Sequence, residues 1–250
     1  MQKGVAILQY WAVTDPGCVR QQNQDAYKIE QLDWHTLLAV ICDGMGGARS
    51  GNIASSLAVD VFAQEIRQTW SPNMDASRIN QMFYAAAKLA NFAVFDQANQ
   101  LEDFAGMGTT LAAVLIRNLE VTVVNVGDSR VYAVDPEDIT QITRDHSLVQ
   151  MMVDRGELTQ EMARSYPGKN FITRAIGTEP VVDCDIFHHK LEKGHCLLLC
   201  TDGLSNMMDD QEILFEVVHG LRKDRCCDRL LDIAKNRGAP DNVTCILIQV

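Results

Sequence analysis

The chain has 250 residues, 47% of them apolar, and a formal net charge of −11. At this length a single domain buries roughly three-quarters of the surface its unfolded chain exposes, so a large core needs no disulfide staples and disorder is excluded. The acidic balance repels nucleic-acid backbones and anionic membrane surfaces. An acidic protein that handles phosphate must therefore supply positive charge locally, from metal ions or a placed arginine.

Val5 to Val13 reads as a strand that leads into a polar loop, Thr14 to Asp25. Thr36 to Cys42 is a second strand-like run, ending in Asp43-Gly44 and a glycine-rich turn. From Gly51 to about Thr69, Ile53, Leu57 and Val61 recur at helical spacing beside Ala54, Ala58, Phe62 and Ile66. Ser71-Pro72 ends that helix, and Met82, Ala86, Leu89 and Ala93 mark a second one. The middle of the chain is β-rich: Thr109 to Ile116, Val121 to Val126, Val131 to Val134 and Ile139 to Thr143. Asn118, Gly127-Asp128 and Asp135-Pro136 punctuate these runs, which predicts an antiparallel meander. Short helical patterns follow around Leu148 to Val153 and Thr159 to Arg164, in an excursion from the core. Strands are expected over Val182 to His188 and His195 to Thr201. Asp209 with Glu212 forms a capping box for the next helix. Gly238-Ala239-Pro240 stops the last helix before a terminal strand, Val243 to Val250. Strands and helices come in runs, which favours an α+β layered sandwich over a doubly wound parallel sheet.

The eight cysteines form no Cys-x-x-Cys pair and several sit in apolar runs, so they read as buried reduced thiols. No window approaches the roughly 18 apolar residues of a membrane span, and the first residues lack the pattern of a signal peptide. A cytoplasmic location is the expectation.

The aspartates carry the chemistry. Three apolar runs each end in one: Asp43 after Ala39 to Cys42, Asp128 after Val124 to Gly127, and Asp202 after Leu198 to Thr201. Asp241 lies just before the last strand. Strand ends share a rim in an antiparallel sheet, so four carboxylates can meet there. Packed together they repel by several kcal/mol at intermediate dielectric, which hard cations relieve; oxygen ligands with water to spare suit magnesium or manganese. For a lone Asp-Gly, ordinary turn chemistry is the better explanation, and three such endings weaken that reading without overturning it. Other phosphate chemistries lack their residues. No cysteine is followed six positions on by arginine, no phosphate-binding Gly-x-x-x-x-Gly-Lys loop occurs, and the six histidines lack zinc-ligand spacing.

One ordered set of motifs goes further: Thr14 to Gly17, Arg20, Asn23 to Asp25, Asp43 to Gly47, Gly106 to Thr110, Gly127 to Arg130, Asp145 to Ser147, Thr173 to Ala175, Thr201 to Leu204 and Asp241 to Thr244. It resembles the metal-dependent serine/threonine protein phosphatases of the PPM (type 2C) family in their bacterial form, from about residue 10 to the carboxyl end. The resemblance implies an αββα sandwich, two antiparallel sheets flanked by helices, in one catalytic domain of residues 1–250 with a flap at about 145–181. It implies two core ions of Mn2+ or Mg2+ and room for a third. Asp43 would bridge the pair, the Gly44 carbonyl would add a ligand, Asp202 and Asp241 would complete it, and Asp128 with Asp202 would hold the third ion. Arg20 would grip the phosphate with its planar guanidinium, and Asp25 would orient metal-bound water from behind. Hydrolysis of phosphoserine and phosphothreonine would run by direct attack of a water activated by two metals. Gln24 stands where many members carry glutamate, and Met45 where eukaryotic members carry a histidine proposed as general acid. Expected partners are phosphorylated proteins and a cognate serine/threonine kinase, with no nucleic acid or membrane and a monomeric state. The alternative is a phosphoprotein-binding regulator with little catalysis; degenerate members usually lose metal aspartates, and here Asp43, Asp202 and Asp241 are all present.

Overall fold

The computed structural model describes residues 8–46, 50–100 and 102–250. Strand β3 (Thr36–Met45) sets the plan of the fold. Its side chains alternate as any strand's do, yet both faces are apolar. Leu37, Ala39 and Ile41 enter one core, while Leu38, Val40 and Cys42 enter another. A strand buried on both sides belongs to an inner layer. β10 (Cys196–Cys200) and β11 (Val243–Gln249) repeat the pattern, with Leu197, Leu199, Ile246 and Ile248 on the shared face and Leu198, Cys200, Cys245 and Leu247 on the other.

One sheet joins β2 (Asp25–Asp33), β3, β5 (Leu111–Arg117), β6 (Glu120–Val126) and β9 (Asp185–Lys190), with the short β4 (Gly108–Thr109) pairing to the end of β3. The other joins β1 (Gln9–Asp15), β11, β10, β7 (Arg130–Val134) and β8 (Ile139–Gln141). Every pairing within the sheets is antiparallel. Helices α1 (Gly51–Thr69) and α2 (Ala76–Gln100) cover the first sheet, burying Phe62, Ile66, Phe83 and Val94. On the outer face of the second lie α5 (Asp202–Ser205), α6 (Asp210–His219) and α7 (Cys226–Asn236), which bury Leu204, Ile213, Val217 and Leu230. The fold is an αββα four-layer sandwich. Between β8 and β9 the chain makes α3 (Leu148–Asp154) and α4 (Gln160–Arg164), started by the hydroxyls of Ser147 and Thr159. The capping box of Asp209 and Glu212 opens α6 as expected.

The structure differs from the sequence reading in three places that matter for the site. The first is β2, which apolar patterning does not announce, because it is an edge strand whose Lys28 and Glu30 meet charges on α1. Lys28 Nζ lies 2.8 Å from Asp60 and Arg67 lies 3.6 Å from Glu30. Second, β3 does not stop at a turn after Cys42. Asp43 and Gly44 are strand residues, paired with Asp25 of β2 and Thr109 of β4. Third, the expected meander divides. β6 ends at Val126, and Gly127-Asp128-Ser129 carries the chain across to β7 in the other sheet. Gly127 has φ +105°, a left-handed conformation that suits glycine. Residues 5–7 of the expected first strand, and Gly47, lie outside the described residues.

Truncating a side chain between the sheets tests this layering. Leu199→Ala, at a fully buried position, should lower the urea midpoint by a stability loss of about 2–5 kcal/mol with m unchanged. Leu221→Ala, at a fully exposed one, should stay within about 0.5 kcal/mol.

Candidate metal centre

The aspartates come from four points where strands of both sheets reach the same end of the sandwich. Asp43 and Asp25 are cross-strand partners on β3 and β2. Asp202 begins α5 directly after β10, Asp241 precedes β11, and Asp128 occupies the crossover between the sheets. Asp43, Asp128, Asp202, Asp241, the Gly44 backbone and Arg20 line one cleft of about 930 Å³. Each predicted ligand therefore reaches a common space; Asp25 stands behind its wall, against β3 and β11.

Neutral donors hold this ring from behind. The hydroxyls of Thr201 and Thr244 both donate to Asp25 Oδ2, at 2.9 and 2.6 Å. Thr201 precedes α5 in the N-cap position, but its hydroxyl serves Asp25 and makes no cap bond. Thr110 Oγ1 accepts from the Asp43 amide at 2.8 Å and lies 2.7 Å from Ser129 Oγ, which ties the crossover to β3. Asn242 accepts from the Gln24 amide at 2.8 Å and donates to the carbonyls of Pro16 and Gln22 at 3.0 and 2.9 Å, stapling the loop that carries Arg20. The Asp202 carboxylate accepts from Asn206 at 3.0 Å. Close backbone contact completes the frame: a Cβ on Gly44 would stand 2.0 Å from the Gly51 carbonyl, so β3 reaches the start of α1 only through glycine. Thr110, Thr201, Asn242 and Thr244 escape sequence reasoning as functional residues. Their signal is their place inside or beside the aspartate motifs, but nothing in composition says where a hydroxyl points.

Electrostatics explains what this frame is for. Burial, then the fields of Asp25, Asp202, Asp128 and Asp241, raises Asp43 well above the ordinary carboxylate range. Asp128 is raised strongly by burial and Asp202, and Asp202 by burial and Asp241. Asp25 is pushed up to about 7 chiefly by burial, against the lowering effect of its two threonine donors. Two carboxylate oxygens, Asp25 Oδ1 and Asp202 Oδ1, are buried with no hydrogen-bond partner. Such orphans are costly unless a cation or an ordered water serves them. Among the described residues no three acidic, histidine or cysteine side chains are grouped closely enough to hold an ion as they stand. The carboxylates instead line an open, water-accessible cleft. An all-oxygen set of this kind, with orphaned lone pairs and shared charge, fits hard divalent cations that keep part of their water. Among the described residues a guanidinium enters the ring: Arg20 Nη2 lies 2.8 Å from Asp241 Oδ2, half-exposed at the mouth.

The same shifts fix a pH dependence. A carboxyl whose folded pKa lies above its unfolded value of 3.8 stabilises the fold below that value, and the contribution is lost as pH rises through the folded pKa. For Asp25 the window runs from 3.8 to about 7. His146 and His189, held below their ordinary range by burial, act in the opposite sense, so the comparison must isolate the carboxyl. In chelator, the thermal midpoint of the wild type should fall relative to Asp25→Asn as pH rises from about 4 to 7. A difference that stays flat or rises would refute the buried-carboxyl account.

Comparison with known proteins finds relatives over nearly the whole chain. The family model of protein phosphatase 2C matches residues 19–242. The serine/threonine phosphatase stp of Listeria monocytogenes is 33% identical over 237 residues, covering 94% of this chain and 93% of its own. The protein phosphatase PhpP of Streptococcus pneumoniae is 33% identical over 240 residues, covering 95% and 96%. Among solved structures, a serine/threonine phosphatase of Staphylococcus aureus superposes with a TM-score of 0.92 at 33% identity, covering 98% of this chain and 95% of its own. The catalytic domain of the phosphatase PstP, in complex with two manganese ions, superposes with a TM-score of 0.83 at 32% identity, covering 97% of both chains.

Proposed function

The chain belongs to the protein phosphatase 2C family, and from that premise we propose how its own residues divide the work of hydrolysis. It is a metal-dependent serine/threonine protein phosphatase, a hydrolase acting on phosphorylated proteins with Mn2+ or Mg2+. The observation that carries the residue assignment is the convergence of Asp43, Asp128, Asp202 and Asp241 on one cleft, where the buried Asp202 Oδ1 lacks a hydrogen-bond partner.

Asp43, the cross-strand partner of Asp25, would be the carboxylate shared by two ions. The Gly44 carbonyl, Asp202 and Asp241 would complete that pair, and Asp128 with Asp202 would hold a third ion. Bound divalent cations would supply Lewis-acid activation of water and neutralise charge on the phosphoryl oxygens. Asp25, fixed by Thr201 and Thr244, orients water from behind the ligands through its free Oδ1. Arg20 exchanges its contact with Asp241 for the substrate phosphate, where a guanidinium grips two oxygens together. Water attacks phosphorus opposite the departing serine or threonine oxygen, and no phosphoenzyme forms.

The leaving oxygen needs a proton. Met45 lines the cleft and has none to give. Among the described residues of the cleft wall there is no histidine, lysine, cysteine or tyrosine, which supports solvent water as the acid. Gln24 binds neighbouring structure through its backbone: its carbonyl accepts from the Gly44 amide at 3.1 Å and from Ser55 Oγ at 2.6 Å. A glutamine in place of the family's glutamate adds no charge, which favours weaker hold on the second ion.

The finer reading takes residues 1–250 as one catalytic domain with 145–181 as its flap. It makes the protein a cytoplasmic monomer that reverses the action of a serine/threonine kinase and binds neither nucleic acid nor membrane. Among the described residues no helix is long and apolar enough to cross a membrane.

Hydrolysis of p-nitrophenyl phosphate with and without manganese tests the reading. Turnover should require the metal, and Asp43→Ala should lower kcat/KM by more than about 100-fold, beyond the loss expected for a supporting residue. A D43A protein with near-normal turnover would remove the assignment. With a phosphopeptide substrate, Arg20→Ala should chiefly raise KM, and an unchanged KM would count against the phosphate grip.

A further inference from the structure

His146 belongs to the Asp145-His-Ser147 motif, for which the site so far described has no use. It is buried, at 6% exposure, and stands at the base of the 145–181 segment. Its backbone amide donates to the Gly127 carbonyl at 2.9 Å, and the Gly127 amide donates to His146 Nδ1 at 3.1 Å. These two bonds clamp the residue immediately before Asp128. Because a backbone N–H can only donate, Nδ1 must carry the lone pair. The ring proton therefore sits on Nε2, 3.1 Å from Asp185 Oδ2. Arg174 Nη1 donates to the other oxygen of Asp185 at 2.9 Å and passes 3.2 Å from Nε2, so two donors share one carboxylate. Burial lowers the pKa of the imidazole, and a proton on Nδ1 would face the Gly127 N–H.

Both flanks of Asp128 are thus held. Behind it, Ser129 reaches Thr110, which accepts from the Asp43 amide. Before it, Gly127 is gripped by His146. The two arms of the 145–181 segment are tied together at this level, Thr173 N donating to the His146 carbonyl at 2.7 Å and Leu148 N to the Phe171 carbonyl at 2.8 Å. Asn125 donates to the Arg144 carbonyl at 3.1 Å, and Arg130 binds Asp145 through Nε and Nη2. The segment cannot shift at its base without moving the crossover.

We infer that His146 is a positioning residue: by accepting from the Gly127 amide it sets the aim of the Asp128 carboxylate and couples that carboxylate to the placement of the 145–181 segment. The inference rests on the reading of Asp128 as a ligand of the third ion. His146 touches no substrate; it acts through the crossover.

Two substitutions separate the halves of the clamp. His146→Gln keeps a donor toward Asp185 and loses the acceptor at Nδ1, whereas His146→Asn puts an amide oxygen where Nδ1 was. In chelator, nitrogen NMR of the wild type should find the Nε2–H tautomer, and hydrogen exchange should find the Gly127 amide protected. H146Q should speed that exchange, and with manganese and p-nitrophenyl phosphate it should lower kcat by roughly 10- to 100-fold with KM little changed and raise the manganese needed for half-activation. H146N should recover most of each. An Nδ1–H tautomer in the wild type, unaltered kcat in H146Q despite a deprotected Gly127, or an H146N as impaired as H146Q would overturn the proposal. Asp128→Asn decides the premise separately. Full turnover in D128N would remove the third-ion reading and the catalytic consequence of the clamp, while the tautomer and the Gly127 amide report on the clamp itself, even if H146Q fails to fold.

Discussion

Like charge gathered at a partly dry rim is the constraint on which this molecule depends. Five aspartates meet where two sheets end together, and burial with mutual repulsion lifts Asp25, Asp43, Asp128 and Asp202 out of the ordinary carboxylate range. A fold tolerates such a cluster only if the backbone beneath it is rigid and if cations share the charge. The four-layer sandwich meets the first need. β3, β10 and β11 are buried on both faces, so the strand ends that carry or adjoin the aspartates are packed from both sides.

The side chains that fasten these aspartates from behind are uncharged. Thr110, Thr201, Ser129 and Thr244 are fully buried hydroxyls that fasten Asp25, the Asp43 backbone and the crossover without adding charge. Asn242 fastens the loop of Arg20 in the same way. Positive charge is kept at two margins. Arg20 stands half-exposed at the cleft mouth against Asp241, and Arg130 is held against Asp145 and Tyr132.

Much of this was legible in the residues. Apolar runs located β3, β5, β6, β7, β10 and β11, helical spacing placed α1 and α2 closely, and the ordered motifs named the aspartates together with the family. What escaped was non-local. β2 carries charge at Lys28 and Glu30 because α1 answers it, and no window of sequence shows a partner as distant as Asp60 is from Lys28, 32 residues on. Asp43 looked like a turn residue because Asp-Gly is turn chemistry, yet β2 and β4 extend pairing past it. The meander divided at Gly127 because the same local pattern serves a hairpin within one sheet or a crossing between two. The direction of each threonine hydroxyl is set by the packing of both sheets, so the supporting shell became visible only in three dimensions.

The central claim is that these carboxylates hold protons until divalent cations replace them. Calorimetric titration of manganese into chelator-stripped protein, repeated in buffers of different ionisation enthalpy, measures that exchange directly. At about pH 6, below the value reached by Asp25, binding should release more protons than at about pH 8, where that carboxyl is already ionised. Tight binding with no proton release at the lower pH, or no binding at either, would contradict the account.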